Sequence, residues 1–147
     1  MQRHFAGAYV VASIEFLIGG PLAYVGWRFF PELSRQPSVH LDDYLAFAAL
    51  IITGTVTVMA AVVTFLHSRL SYGMIRGARI AAVLSDVWML LTGVGMWVIA
   101  SQRGGDWKGL GILGALLFIS VGTTLLLLSV FALWYVRRIR PGVDSPM

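Results

Sequence analysis

The sequence predicts an all-α integral membrane protein, a bundle of four transmembrane helices with its N- and C-termini in the cytoplasm. Three observations predict it: an apolar composition, four long apolar segments, and an uneven placement of Lys and Arg around them.

Composition sets the solvent. Of 147 residues, 58% are hydrophobic and only 12% are charged. A soluble domain carries about 25% charged residues. A soluble chain of this length would bury only about two-thirds of its surface, too little to hide so much apolar side chain. Lipid is therefore the expected medium, and the length suits one transmembrane domain over residues 1–147. There are no cysteines, which removes disulfides, thiolate nucleophiles and Cys-ligated metals. The formal charge is +4, but the basic residues flank apolar segments, so membrane orientation accounts for them better than nucleic acid.

A hydrocarbon core about 30 Å thick needs roughly 20 apolar residues of helix. Four segments meet that length: Ala6 to Phe30, Tyr44 to His67, Ile80 to Ser101 and Leu110 to Val136. Each must be helical, because backbone groups in lipid have to pair within their own segment. The first is read as a retained span, since it is long, holds Glu15 and lacks a small-residue cleavage site. Arg28-Phe29-Phe30-Pro31 ends it, and Gly19-Gly20-Pro21 is expected to bend it. Asp42 and Asp43 open the second helix and Asp106 is placed to cap the fourth. Arg137, Arg138, Arg140 and Pro141 close the fourth. Trp27, Trp97, Trp107 and Trp134 lie near span ends, as an aromatic belt requires.

Arg3, Arg69, Arg76, Arg79, Arg137, Arg138 and Arg140 fall on one side of these spans, seven in all. Arg28, Arg35, Arg103 and Lys108 fall on the other. The richer side is expected to be cytoplasmic, in the plasma membrane of a bacterial cell. The loop from Pro31 to Asp43 contains Pro37 and Ser38 and is too short for a domain. Its His40, Asp42 and Asp43 read as solvated loop and helix cap rather than a metal site.

Helices in lipid associate through small residues and hydrogen bonds. The expected interior stripes are Ala8, Ala12, Glu15, Gly19 and Gly26; Thr53, Thr57, Ala60 and Thr64; Ala82, Asp86 and Gly93; and Gly111, Ala115, Gly122 and Ser129. Gly73 and Gly77 share a G-x-x-x-G spacing, but in what reads as a polar loop. No phosphate loop, zinc helix or Ser–His–Asp signature is present. The histidines at 4, 40 and 67 suggest no bis-histidine haem site, and no cofactor is implied.

Glu15 and Asp86 are the carboxylates well inside the spans. Glu15 lies roughly 13 Å into its helix from Ala6, and Asp86 roughly 10 Å from Arg79, at 1.5 Å per residue. They are thus expected at one depth, with Ser129, Thr64 and His67 approaching it as candidate substrate-binding groups. A charged side chain at the bilayer centre costs about 2.5–3.5 kcal/mol, which marks both acids as candidate proton carriers or general acids. Two close carboxylates would share a proton. The structural alternative is that they hydrogen-bond across helices, or that Asp86 pairs with Arg79. Three functions follow: a proton- or cation-coupled small-molecule carrier, an intramembrane acid–base enzyme acting on a lipid or isoprenoid, or a non-catalytic subunit of a larger membrane complex. The expected partners are the bilayer and either copies of the same chain or larger subunits, with no nucleic acid.

Overall fold

A computed structural model describes residues 2–36, 41–102 and 107–138, without the side chains of residues 2–5, 41, 42 and 107. Pro37, Ser38, His40, Arg103, Asp106, Arg140 and Pro141 lie outside the described residues, as do the side chains of Arg3, His4, Asp42 and Trp107. The expectations that rest on them, including the metal-site question at His40 and Asp42 and the Asp106 cap, lie outside with them.

Four α-helices make up the bundle: α1 (Gln2–Leu33), α2 (Leu41–Phe65), α3 (Tyr72–Gln102) and α4 (Trp107–Arg138). All four are long and apolar enough to cross a membrane. A helix of 32 residues, such as α1, spans about 48 Å, so it reaches past the hydrocarbon into the headgroup layer. It runs without interruption through Pro21 and Pro31.

The largest departure from the expected boundaries is in α3, which begins at Tyr72 rather than Ile80. A short 3-10 turn at His67–Arg69 follows α2, and Leu70 is extended. Ser71 then accepts a hydrogen bond from the Met74 amide on its side-chain oxygen, the usual role of a serine preceding a helix. Three corrections follow. Gly73 and Gly77 are helical and face open space, not a polar loop. Arg79 is two turns inside α3 and fully buried, not a loop charge at the membrane surface. His67 lies beyond the end of α2, not within it.

Each helix packs against its neighbour in sequence, and α4 returns to α1. Contacts run in opposite directions along each pair. Gly19 meets Thr57 while Gly26 meets Ile51; Gly93 meets Ile119 while Gly111 meets Ala100. Gly7 meets Tyr135, so the two chain ends emerge at the same end of an up-and-down bundle.

The packing inverts that of a soluble bundle. Leu17, Leu84, Leu91, Leu110 and Leu117 point outward, while the core consists largely of alanines, among them Ala8, Ala12, Ala49, Ala61, Ala82, Ala115 and Ala132. Lipid tails are as apolar as leucine, so outward leucines cost nothing, and helices gain by bringing backbones close. The expected stripes on all four helices are buried, apart from Gly111, which is half-buried. Trp27, Trp97 and Trp134 are exposed near helix ends.

The closest approach is between α1 and α2. A Cβ on Gly54 would sit 2.4 Å from the Ala23 amide nitrogen, 2.8 Å from its Cα and 2.9 Å from the Gly19 carbonyl oxygen. All three are backbone atoms that cannot step aside. Gly54→Ala should therefore force α1 from α2 and destabilise the protein by about 1–3 kcal/mol. Gly73→Ala, on an open helix face, should be neutral or stabilising by up to about 1 kcal/mol. Unfolding in mixed micelles by titration with a denaturing detergent measures both, and equal stability of the two variants would contradict this packing.

Candidate functional site

Five side chains from all four helices meet in the core: Glu15 of α1, Thr64 of α2, Arg79 and Asp86 of α3, and Ser129 of α4. Glu15, Arg79, Asp86 and Ser129 have no solvent-exposed surface, and Thr64 is 3% exposed. Each lies on the small-residue stripe of its helix, so the close packing that assembles the bundle also seals the cluster from water.

Arg79 is the hub. Its Nη1 donates to Glu15 Oε2 in a buried ion pair. Its Nε and Nη2 donate to Thr64 Oγ1 at 3.0 and 2.6 Å. The Thr64 hydroxyl donates in turn to the Ala60 carbonyl at 2.9 Å, so both its lone pairs and its proton are used. Ser129 Oγ donates to Asp86 Oδ2 at 2.6 Å and lies 3.4 Å from Glu15 Oε1. A hydroxyl has one proton, and the shorter contact is the stronger bond.

Glu15 and Asp86, expected at one depth, are linked through Ser129, which reaches both. The cation belongs to Glu15. Asp86 has no ion pair among the described residues, so in place of the alternative Arg79–Asp86 pairing the arginine pairs with Glu15. Arg79 and Asp86 lie two turns apart on one face of α3, and the guanidinium is committed to the Glu15 carboxylate of α1. Among the described residues, two buried side-chain polar atoms lack a hydrogen bond, Asp86 Oδ1 and Thr57 Oγ1. Thr57 faces the Asp86 carboxyl from α2. A nearby bond from Thr53 Oγ1 to the Ser85 carbonyl at 3.0 Å ties α2 to α3 at the same level.

Of the other candidates, Thr64 and Ser129 are members of the cluster. His67 stands apart, with its Nδ1 2.7 Å from the Tyr9 hydroxyl at the end of the bundle. Tyr9 also stacks on Phe65, with ring centroids 5.8 Å apart. The sequence paired Arg79 with Asp86 rather than Glu15, and placed Thr57 on an interior stripe without linking it to an acid. A signal for Arg79 was present: residues 79, 82, 86, 89 and 93 repeat at three- and four-residue steps and are all buried. The serine cap at Ser71 would have started the helix early enough to include the first of them.

A shallow groove on the outer surface lies between Leu45 of α2 and Trp88, Leu91, Gly95 and Ile99 of α3. Its lining is apolar apart from Thr92, and none of the clustered side chains contributes to it.

No family model, curated protein or solved structure matches this chain. The cluster's own chemistry is thus the guide to its role.

A buried charge whose partner is removed costs about 3–5 kcal/mol. Arg79→Met should destabilise the protein by that amount, whereas Arg76→Met, on the exposed face of the same helix, should change little. Combining Arg79→Met with Glu15→Leu should recover most of the loss, because no uncompensated carboxylate of Glu15 then remains. A double-mutant cycle in mixed micelles checks this; equal effects of the two arginine substitutions would contradict the ion pair.

Proposed function

We propose that this chain is a proton-coupled carrier of small cations in the plasma membrane, with the Glu15–Arg79–Asp86–Ser129 cluster as its occluded coupling site. The observation that carries this reading is the charge count of a sealed site. Two carboxyls face one guanidinium, so a further positive charge is needed for neutrality. Replacing buried ion pairs by apolar side chains is often neutral or stabilising, so stability alone gives little reason to place three ionisable groups in lipid. Intramembrane ionisable groups of this kind mark ion and substrate pathways. A proton and a cationic cargo competing for the same negative site would be coupled by that competition. Four helices make a thin pathway, so the working form is a homo-oligomer.

A second reading is favoured by the absence of exposed surface on Glu15, Arg79, Asp86 and Ser129. In it the cluster is a permanent clasp that fixes helix order in a non-catalytic subunit of a larger complex. The enzyme reading has less support, since the outer groove does not reach the acids.

Transport in proteoliposomes separates the two. With an imposed pH gradient and an internal pH dye, pulses of sodium, potassium or tetraphenylphosphonium should collapse the gradient for the wild type. Glu15→Gln and Asp86→Asn should each slow the collapse at least about tenfold, the equivalent of roughly 1.4 kcal/mol in the coupling step. Wild-type rates equal to empty liposomes for all three cations, or unchanged rates in both variants, would overturn the carrier and leave the clasp. Melting of each variant in detergent confirms that it is folded.

The orientation belongs to the same proposal. With Arg79 in the core, six basic residues face the four opposite, still placing both termini in the cytoplasm. The chain has no cysteine, so single substitutions report sidedness directly. In intact cells, a membrane-impermeant maleimide should label Arg35→Cys and spare Arg69→Cys; the reverse pattern would invert the topology.

A further inference from the structure

We infer that the resting cluster holds one bound proton, carried on Asp86 Oδ1 and shared with Thr57 Oγ1. The inference does not depend on cargo, and applies equally to a carrier and to a permanent clasp.

Three observations converge on that atom. The first is charge. With both acids ionised, a cluster sealed from water would hold two negative groups and one positive one. An isolated ionised carboxylate is so costly in an apolar medium that such groups take up a proton instead. The second is partner inventory. Glu15 has the Arg79 guanidinium on Oε2 and Ser129 near Oε1. Asp86 has only the Ser129 hydroxyl, on Oδ2, and no ion pair among the described residues, the Arg79 guanidinium being paired with Glu15. Of the two acids, Asp86 is the one that lacks a reason to be charged. The third is the pair of orphaned atoms. Asp86 Oδ1 and Thr57 Oγ1 are both buried and unpartnered, and Thr57 faces this carboxyl. An ionised carboxylate offers only acceptors, whereas the protonated acid is also a donor. The Thr57 hydroxyl could also donate to an ionised Oδ1, so this pair marks where the proton sits and the charge count requires it to be there. A proton on Oδ1 donates to Thr57 Oγ1 while Oδ2 continues to accept from Ser129.

The groups facing Asp86 are thus Thr57 from α2, Ser129 and Glu15 from α4 and α1, and Arg79 from its own helix. The described threonines divide in two: Thr53 bonds across to the Ser85 carbonyl and Thr55 accepts from Trp27, as befits hydroxyls turned towards a neighbouring helix. Thr64, Thr92, Thr123 and Thr124 each donate to the carbonyl four residues earlier, and Thr57 does not. Its hydroxyl is left for a partner across the helix interface.

Infrared spectroscopy of the full-length protein in an ester-free detergent tests the assignment at neutral pH. A protonated carboxylic acid has a carbonyl stretch well above the carboxylate bands, and it shifts down in heavy water. The wild type should show one such band from a group protected from bulk solvent. Asp86→Asn should abolish it, leaving Glu15 ionised beside Arg79, and Glu15→Gln should also lose it, because Asp86 is then the only carboxyl left to neutralise Arg79. Thr57→Val, which removes the acceptor while keeping the shape, should shift it to higher frequency. A wild type with no such band would overturn the inference. So would retention of the band in Asp86→Asn, which would move the proton to Glu15. An unshifted band in Thr57→Val would overturn the assignment to Oδ1. Thr57→Val keeps every charged group, so it supports a clean result even if Asp86→Asn folds poorly.

Discussion

The ion pair between Arg79 and Glu15 constrains the rest of the structure more than any other contact. An arginine seven residues inside a membrane helix has to find its partners within the bundle, because lipid supplies none. Its guanidinium satisfies that demand by joining α3 to α1 through the carboxylate and to α2 through Thr64. Ser129 then brings α4 to the same point through Asp86 and Glu15. Helix order, helix rotation and the depth of each residue at this level all have to agree for these bonds to form together. A directional constraint of this kind selects one arrangement from many that apolar packing would tolerate.

That arrangement rests on backbones lying close. Glycines and alanines line the contacts between α1 and α2 and between α3 and α4, and several tolerate no added methyl group without a shift. Close approach and ion pairing support each other. Small side chains let the helices exclude water around the cluster, and exclusion of water strengthens each electrostatic bond within it. The same exclusion makes the surplus negative group expensive, which is why the proton count matters to the function. Whether the site moves a cation or only clasps four helices, its chemistry begins from one guanidinium facing two acids.

Much of the fold was legible in the sequence because its signals are local and additive. Span length, interior stripes and belt tryptophans all follow from the polarity of individual residues against the bilayer. Glu15 and Asp86 stood out as acids inside apolar segments, and their common depth followed from counting residues along two helices that begin at the same end. The start of α3 was harder to place. Arg76 and Arg79 resembled a charged loop when judged by hydropathy, and a single serine cap is a weak signal beside them.

What the sequence determined by itself is the number of crossings, the face each helix turns inward, and the pair of acids at matching depth. Tertiary structure decided which acid receives the arginine, that Ser129 bridges them, and that Thr57 and Asp86 are left facing each other. The reason is geometric. Arg79 and Asp86 sit seven residues apart on one face of α3 with both side chains leaning towards the N-terminus, so they form no ion pair and the arginine pairs with an acid on another helix. Its partner is set by which helix lies beside it, a distance between segments that no spacing along one of them contains.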